Sequence, residues 1–179
     1  MHTVELLPDE ETDEVVREAW AALAAAGAPS QAGHPHPTNR PHLTLFTLPA
    51  LPSGLRLVLG DALSAALPLP LRISGPHVFA GRTSTLAWLV AADPALVELR
   101  VRLQRLAEEV LGPGSREHRA RRPEDWRPHV TLGRSRRPAA WSTPGSVGFQ
   151  VLPDPPKAGL WTRARTYDSA SRTTKRLAP

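Results

Sequence analysis

The hexapeptide Arg40-Pro41-His42-Leu43-Thr44-Leu45 returns in the second half of the chain as Arg127-Pro128-His129-Val130-Thr131-Leu132, with Leu exchanged for Val and nothing else changed. One copy would constrain little. Two copies in opposite halves of a 179-residue chain point to a duplicated unit. Val, Leu and Thr favour extended backbone, and proline is tolerated at a strand's first residue, where its missing donor need not join the ladder. Successive side chains in a strand alternate faces. His42 and Thr44 are therefore expected on one face and Leu43 and Leu45 on the other, and His129 and Thr131 oppose Val130 and Leu132 in the same way. By the same count Phe46, four residues after His42, falls on the His/Thr face. Each copy offers an imidazole and a hydroxyl to a cleft and two aliphatic side chains to a core.

A helix is expected ahead of each copy. Over residues 9–27 the acidic first turns suit the helix macrodipole, Val15, Val16, Trp20, Leu23 and Ala24 recur at helical spacing, and Gly27 is a stop. Asp93-Pro94 reads as a cap followed by a first-turn proline. Leu96, Leu99, Leu103, Leu106 and Val110 then form an apolar stripe that ends at Gly112-Pro113-Gly114. A further helix is expected over 55–67. Strands are expected over 2–7, 40–48, 69–79 with a break at Gly75-Pro76, 83–91 with Leu86, Trp88 and Val90 on one face, the second hexapeptide, 147–152, 160–167 and a short segment within 171–179. Residues 28–39, the Arg-rich 115–126 and 134–145 read as loops.

This order predicts an α+β fold. Two similar lobes related by a pseudo-twofold axis would carry two facing antiparallel sheets, with helices on the outside and both His/Thr faces turned into a central cleft. At this length residues 1–179 fit one domain of two interwoven lobes.

The residue types narrow the chemistry. The chain has no cysteine, which removes disulfides, a thiolate nucleophile and cysteine-based zinc sites. Histidine exchanges a proton near neutral pH. Two imidazoles across one substrate can divide a phosphodiester cleavage, one taking a proton from the nucleophile and the other protonating the departing oxygen. Thr44 and Thr131 can hydrogen-bond the non-bridging oxygens. Arg134, on the continuation of the second strand, either reaches the same phosphate as a charge-assisted donor or is a solvated strand-end residue. Phe46, nominally on the cleft face, either stacks a base or packs against the core. Arg40 and Arg127 either guide the anion or are solvated. His34 and His36, with His42 downstream, lack the spacing and the carboxylate of a zinc motif, so no metal is expected. There is no phosphate-binding glycine loop, and no cofactor is expected.

The net charge of +5 favours a polyanionic partner such as RNA, and Arg116, Arg119, Arg121 and Arg122 form either an RNA-contacting loop or a solvated one. No apolar run approaches the roughly 18 residues of a membrane span, and the acidic start lacks a basic-then-apolar leader. A cytoplasmic monomer is the expectation.

The pair His42-Leu43-Thr44-Leu45 and His129-Val130-Thr131-Leu132 resembles the tandem His-x-Thr-x signature of the 2H phosphoesterase superfamily. Within it the chain is most similar to the bacterial 2'-5' RNA ligase family, also described as RNA 2',3'-cyclic phosphodiesterases. The resemblance implies a bilobal fold with a water-filled cleft and hydrolysis of a 2',3'-cyclic phosphate to a 2'-phosphomonoester. In some members it also implies reversible 2'-5' RNA joining. It implies His42 as the acid toward the leaving O3', His129 as the base that activates water, and Thr44 and Thr131 as phosphate holders. The motifs alone leave the two histidines equivalent. The chain departs from the family in its first strand, where Val4-Glu5-Leu6-Leu7 replaces a more aromatic, fully apolar segment. It departs again after the second motif, where a basic, Pro-containing stretch stands in place of a common helix. Two other readings fit the same residues: a non-catalytic RNA- or nucleotide-binding module, and a phosphodiesterase acting on small cyclic nucleotides or 2'-5' oligonucleotides.

Overall fold

The computed structural model describes residues 1–112, 126–137 and 147–179. Along the chain these form β1 (His2–Pro8), α1 (Glu10–Ala25), β2 (Leu43–Leu48), α2 (Ser53–Ala66), β3 (Leu69–Leu71), β4 (Ile73–Phe79), β5 (Ser84–Val90), α3 (Pro94–Leu111), β6 (His129–Ser135), α4 (Val147–Gln150), β7 (Gly159–Asp168) and β8 (Thr173–Ala178). The fold is α+β, and all strand pairings among the described residues are antiparallel. The expected loop over 115–126 lies outside the described residues except for Trp126, as does most of the one over 134–145.

The strands run in the order β3-β7-β1-β2-β6-β5-β4, with β8 also on β7. The order is thin in the middle. β1 holds β2, and β5 holds β6, through extended registers, but among the described residues β2 and β6 share one bridged pair, Leu43 with Val130. Two antiparallel sheets therefore meet at a single point. One is built from the two ends of the chain plus β3, and the other from β4, β5 and β6 in its middle. The chain therefore starts and ends in one sheet and passes through the other in between.

Each helix buries the middle of the stripe that its spacing predicts, while Val15 on α1 and Leu106 on α3 are half-buried and Ala24, expected in the α1 stripe, is exposed. Val16, Ala19, Trp20 and Leu23 are buried on α1, and Leu96, Leu99, Leu103 and Ala107 on α3. Val110, the last residue of the expected α3 stripe, is exposed. Leu86, Trp88 and Val90 all face the core from β5, and Trp161 joins them from β7. Gly60 on α2 lets β8 lie against the helix, because a Cβ there would meet the Leu177 carbonyl oxygen at 2.9 Å. Among the described residues no helix is long and apolar enough to cross a membrane.

Five local expectations are corrected. The break expected at Gly75-Pro76 falls instead at Arg72, between β3 and β4, and both Gly75 and Pro76 are paired within β4. β2 begins at Leu43, so His42 stands just ahead of the strand instead of within it. β6 continues through Arg134 and Ser135, where a loop was expected to begin. The strand expected over 147–152 is instead the short helix α4 followed by irregular chain. Asp93 stands at the N-cap of α3 but makes no capping bond, because its carboxylate is held by the Arg72 guanidinium.

Asp9 caps α1 and also anchors it. One carboxylate oxygen accepts from the Thr12 N–H at 2.8 Å and the other from the Leu160 N–H at 2.6 Å, which ties the helix start to β7. Burial alone would raise this carboxyl, but hydrogen bonds from the Thr12 hydroxyl and from the Thr12 and Leu160 N–H groups outweigh it and hold the pKa below 3.8. A depressed carboxylate contributes stability that is present above its unfolded pKa and is lost as pH falls through the folded one. Asp9→Ala is expected to lower stability by about 0.5–2 kcal/mol at neutral pH. In urea unfolding followed across pH, the gap to wild type should close as pH falls below 3.8.

Candidate active site

The two motifs repeat in three dimensions down to their hydrogen bonds. His42 Nδ1 lies 2.7 Å from the Arg40 carbonyl oxygen, and His129 Nδ1 lies 2.8 Å from the Arg127 carbonyl oxygen. The proline between each pair fixes its φ and helps turn the preceding carbonyl back toward the ring. A carbonyl only accepts, so Nδ1 donates in both halves and Nε2 is the nitrogen that exchanges a proton with a substrate.

The bridge between the sheets sets the motifs face to face. Leu43 pairs with Val130 antiparallel, so one step either way sets His42 against Thr131 and Thr44 against His129. Leu43 and Val130 point into the core, each 1% exposed. Their neighbours point the other way. His42, Thr44, Thr131 and Arg134 line one open cavity of about 630 Å³. Its other walls come from the 30–39 segment, including Gln31, His34 and Asn39, and from Glu5, Arg165 and Tyr167 on β1 and β7. His129 is outside that lining. It stands across the bridge with its ring centroid 4.6 Å from Phe79, which in turn meets His77 edge-on.

Both motif strands carry a bulge at the same place. β1 pairs Glu5 with Thr44 but Val4 with Phe46, so Leu45 is an extra residue in β2. β5 pairs Ala87 with Thr131 but Leu86 with Gly133, so Leu132 is the extra residue in β6. A bulge shifts the phase of the residues beyond it. Leu45 and Phe46 therefore both face the core, 1% and 8% exposed. This corrects the expectation that Phe46 lies on the His/Thr face: it is buried in packing and has no surface to offer a base.

Backbone oxygens at the bulges are taken up across the lobes. Arg100 Nε of α3 donates to the Leu45 carbonyl at 3.0 Å. Trp20 Nε1 of α1 donates to the Thr131 carbonyl at 3.0 Å, and the Gln31 N–H to the Leu132 carbonyl at 3.0 Å. α1 and α3 thus each brace a motif strand, and these buried carbonyl oxygens are paired.

The charges around His42 come from residues the motif did not indicate. Glu5 is 3% exposed. Its Oε2 accepts from Arg165 Nε at 2.8 Å, and its Oε1 accepts from the Thr3 hydroxyl at 2.6 Å and lies 3.8 Å from His42 Nε2. A lone carboxylate in the apolar run Val4-Glu5-Leu6-Leu7 is the sequence signal that could have found this group. Arg165 and Tyr167 reach the cavity only because β7 pairs with β1, and nothing in their local sequence marks them. Arg40 lies 4.0 Å from Asp13 on α1. Trp88 and Trp161 are fully buried. Among the described residues no three or more His, Cys, Asp or Glu side chains are grouped to hold a metal ion, and the His36 ring pairs with the Thr38 hydroxyl.

Comparison with known proteins matches the chain at two levels. The family model of the 2'-5' RNA ligase superfamily matches residues 8–143. Solved structures align over nearly the whole chain. TT0787 of Thermus thermophilus superposes with a TM-score of 0.59 at 20% identity, covering 98% of this chain and 94% of its own. E. coli LigT, solved with 3'-AMP, gives 0.53 at 18% identity, covering 98% and 91%. Usb1 of Kluyveromyces marxianus gives 0.53 at 12% identity, covering 98% and 96%. At these identities the likeness is one of fold. No curated protein matches the sequence.

Proposed function

Because this chain belongs to the 2'-5' RNA ligase superfamily, we propose that it is a metal-independent phosphodiesterase that opens 2',3'-cyclic phosphate ends of RNA to 2'-phosphates. The observation that carries this reading is the bridge at Leu43 and Val130, which sets the two His-x-Thr segments against each other. A cavity of about 630 Å³ is in the range that takes a nucleotide-sized ligand. E. coli LigT, of the same fold, was solved with a mononucleotide.

The chemistry follows from the two Nε2 atoms. His129 takes a proton from water as its oxygen attacks phosphorus. The bond from phosphorus to O3' breaks, and His42 gives its Nε2 proton to that oxygen. Thr44 and Thr131 donate to the non-bridging oxygens, where charge builds in the transition state. Arg134 supplies a fixed positive charge at the rim. These groups manage both protons and charge without a metal, and the interwoven lobes act as one domain spanning 1–179.

A short RNA ending in a 2',3'-cyclic phosphate, incubated in excess EDTA, is expected to be converted at the untreated rate. Loss of turnover with the chelator, restored by a divalent ion, would overturn the metal-independent reading.

A further inference from the structure

The cavity beside His42 opens onto a wider surface of the sheet built from the chain ends. Thr3, Glu5, Thr44, Arg165 and Tyr167 line the cavity, and they mark the cleft face of β1, β2 and β7. Residues paired directly across neighbouring strands project to the same side of a sheet. The register therefore fixes what continues this face outward. Glu5 pairs with Thr44 on one side and Arg165 on the other, and Arg165 pairs in turn with Arg176 of β8. Thr3 pairs with Thr47 and Tyr167, and Tyr167 pairs with Thr174. Two rows of side chains thus cross four strands. One reads Thr44, Glu5, Arg165, Arg176. The other reads Thr47, Thr3, Tyr167, Thr174, with a hydroxyl at every place.

The charge on this face is cationic. Arg163, two residues before Arg165 on β7, projects to the same side. Arg163, Arg165 and Arg176 stand against the single carboxylate of Glu5, which Arg165 neutralises. Among the described residues Arg163 and Arg176 have no carboxylate partner. Thr174 and Arg176 lie beyond the cavity lining, and Arg176 is exposed. Three strand spacings, about 14 Å, separate Thr44 from Arg176. A nucleotide held by its phosphate at Thr44 fills the cavity, and a chain that continues from it outward meets Thr174 and Arg176. The opposite flank offers no such path: β4 and β5, which extend the sheet beside the second motif, carry no Lys or Arg.

We propose that the cleft face of β7 and β8 is a track for single-stranded RNA. It would carry the nucleotides that precede the cyclic phosphate, with Tyr167 stacking a base and Arg176 meeting a backbone phosphate. This rests on the phosphodiesterase reading above and narrows its substrate to the end of an oligonucleotide instead of a mononucleotide. Cations that follow the backbone, together with an aromatic platform, hold single strands without regard to sequence. The hydroxyl row adds hydrogen bonds to phosphate and ribose oxygens, which position a strand without reading its bases.

The test compares a nucleoside 2',3'-cyclic phosphate with a short single-stranded RNA that ends in the same cyclic nucleotide. Wild type is expected to show a kcat/KM about 10- to 100-fold higher on the RNA, the gain from one stacked base. Arg176→Ala should cut that preference by about 5- to 10-fold through KM. It should also flatten the dependence of log KM for the RNA on log salt by about 0.7, the share of one phosphate contact on a single strand. Tyr167→Ala should cut the preference without changing that slope. Lys175 is exposed on the same strand but pairs with Thr166 on the opposite face. Lys175→Ala removes the same charge and should keep both the preference and the slope. Equal kcat/KM on the two substrates in wild type would overturn the track and leave the phosphodiesterase reading in place. So would a preference that survives Arg176→Ala, or one that falls equally in Lys175→Ala. A wild-type protein that turns over neither substrate would overturn both.

Discussion

Alanine at His42 or at His129 is expected to lower kcat on a 2',3'-cyclic phosphate end by about 10²- to 10⁴-fold, the range for removing a general acid or base. Thermal unfolding should move little, because neither ring is part of the core. The His42 side chain is 32% exposed, and the aliphatic residues that alternate with the histidines fill the space beneath. What each substitution removes is an Nε2 atom whose ring is already fixed by its Nδ1 bond to a carbonyl. The two losses should not add, because the groups act on one reaction as a unit and removing either stalls the same step. Steady-state kinetics on both single variants and the double variant checks this. Single variants that retain wild-type turnover would place the chemistry elsewhere.

Leu43→Ala is expected to cost about 2–5 kcal/mol of stability, the range for emptying a packed leucine site. The position is more than an ordinary core site. Leu43 is 1% exposed and supplies half of the one bridged pair between the two sheets among the described residues. It is also flanked by His42 and Thr44, so a cavity there loosens the pair of side chains that line the cleft. Urea unfolding should show the loss. The same substitution at Leu57, 61% exposed on α2, should stay within about 0.5 kcal/mol of wild type. At a temperature where both variants are folded, only the Leu43 variant should also lose turnover.

What the sequence made readable was mainly local. The repeated hexapeptide, the acidic start of α1 and the Asp93-Pro94 start of α3 are signals carried by a few adjacent residues, and the α+β order of elements follows from them. The family likeness rests on the same repeated segment. Phe46 was misplaced because period-two alternation assumes an unbroken ladder, and Leu45 interrupts it. A clue was present in the other copy: Gly133 follows Leu132 inside a strand, and a glycine there often marks a bulge. Carried across the duplication, it would have moved Phe46 to the core. The carboxylate of Asp93 left its cap for Arg72, a partner remote in sequence that no local pattern identifies. Val147–Gln150 is too short an apolar segment for periodicity to separate strand from helix. The wall of the cavity was hidden for a different reason. Glu5, Arg165 and Tyr167 come together only through the pairing of β1 with β7, the two ends of the chain. The gathering of His42, Thr44, Thr131 and Arg134 likewise depends on one cross-sheet bridge that composition and spacing do not encode.

The idea on which the rest depends is that two imidazoles share the work at one phosphorus atom. Phosphorus NMR of a nucleoside 2',3'-cyclic phosphate, incubated in EDTA with wild type and with the His42→Ala/His129→Ala double variant, tests it most directly. Wild type should convert the cyclic signal into that of the 2'-phosphomonoester alone, and the double variant should leave it unchanged over the same period. A double variant that still forms the 2'-phosphate would contradict it, and a wild type that releases the 3'-phosphate would contradict O3' as the leaving oxygen.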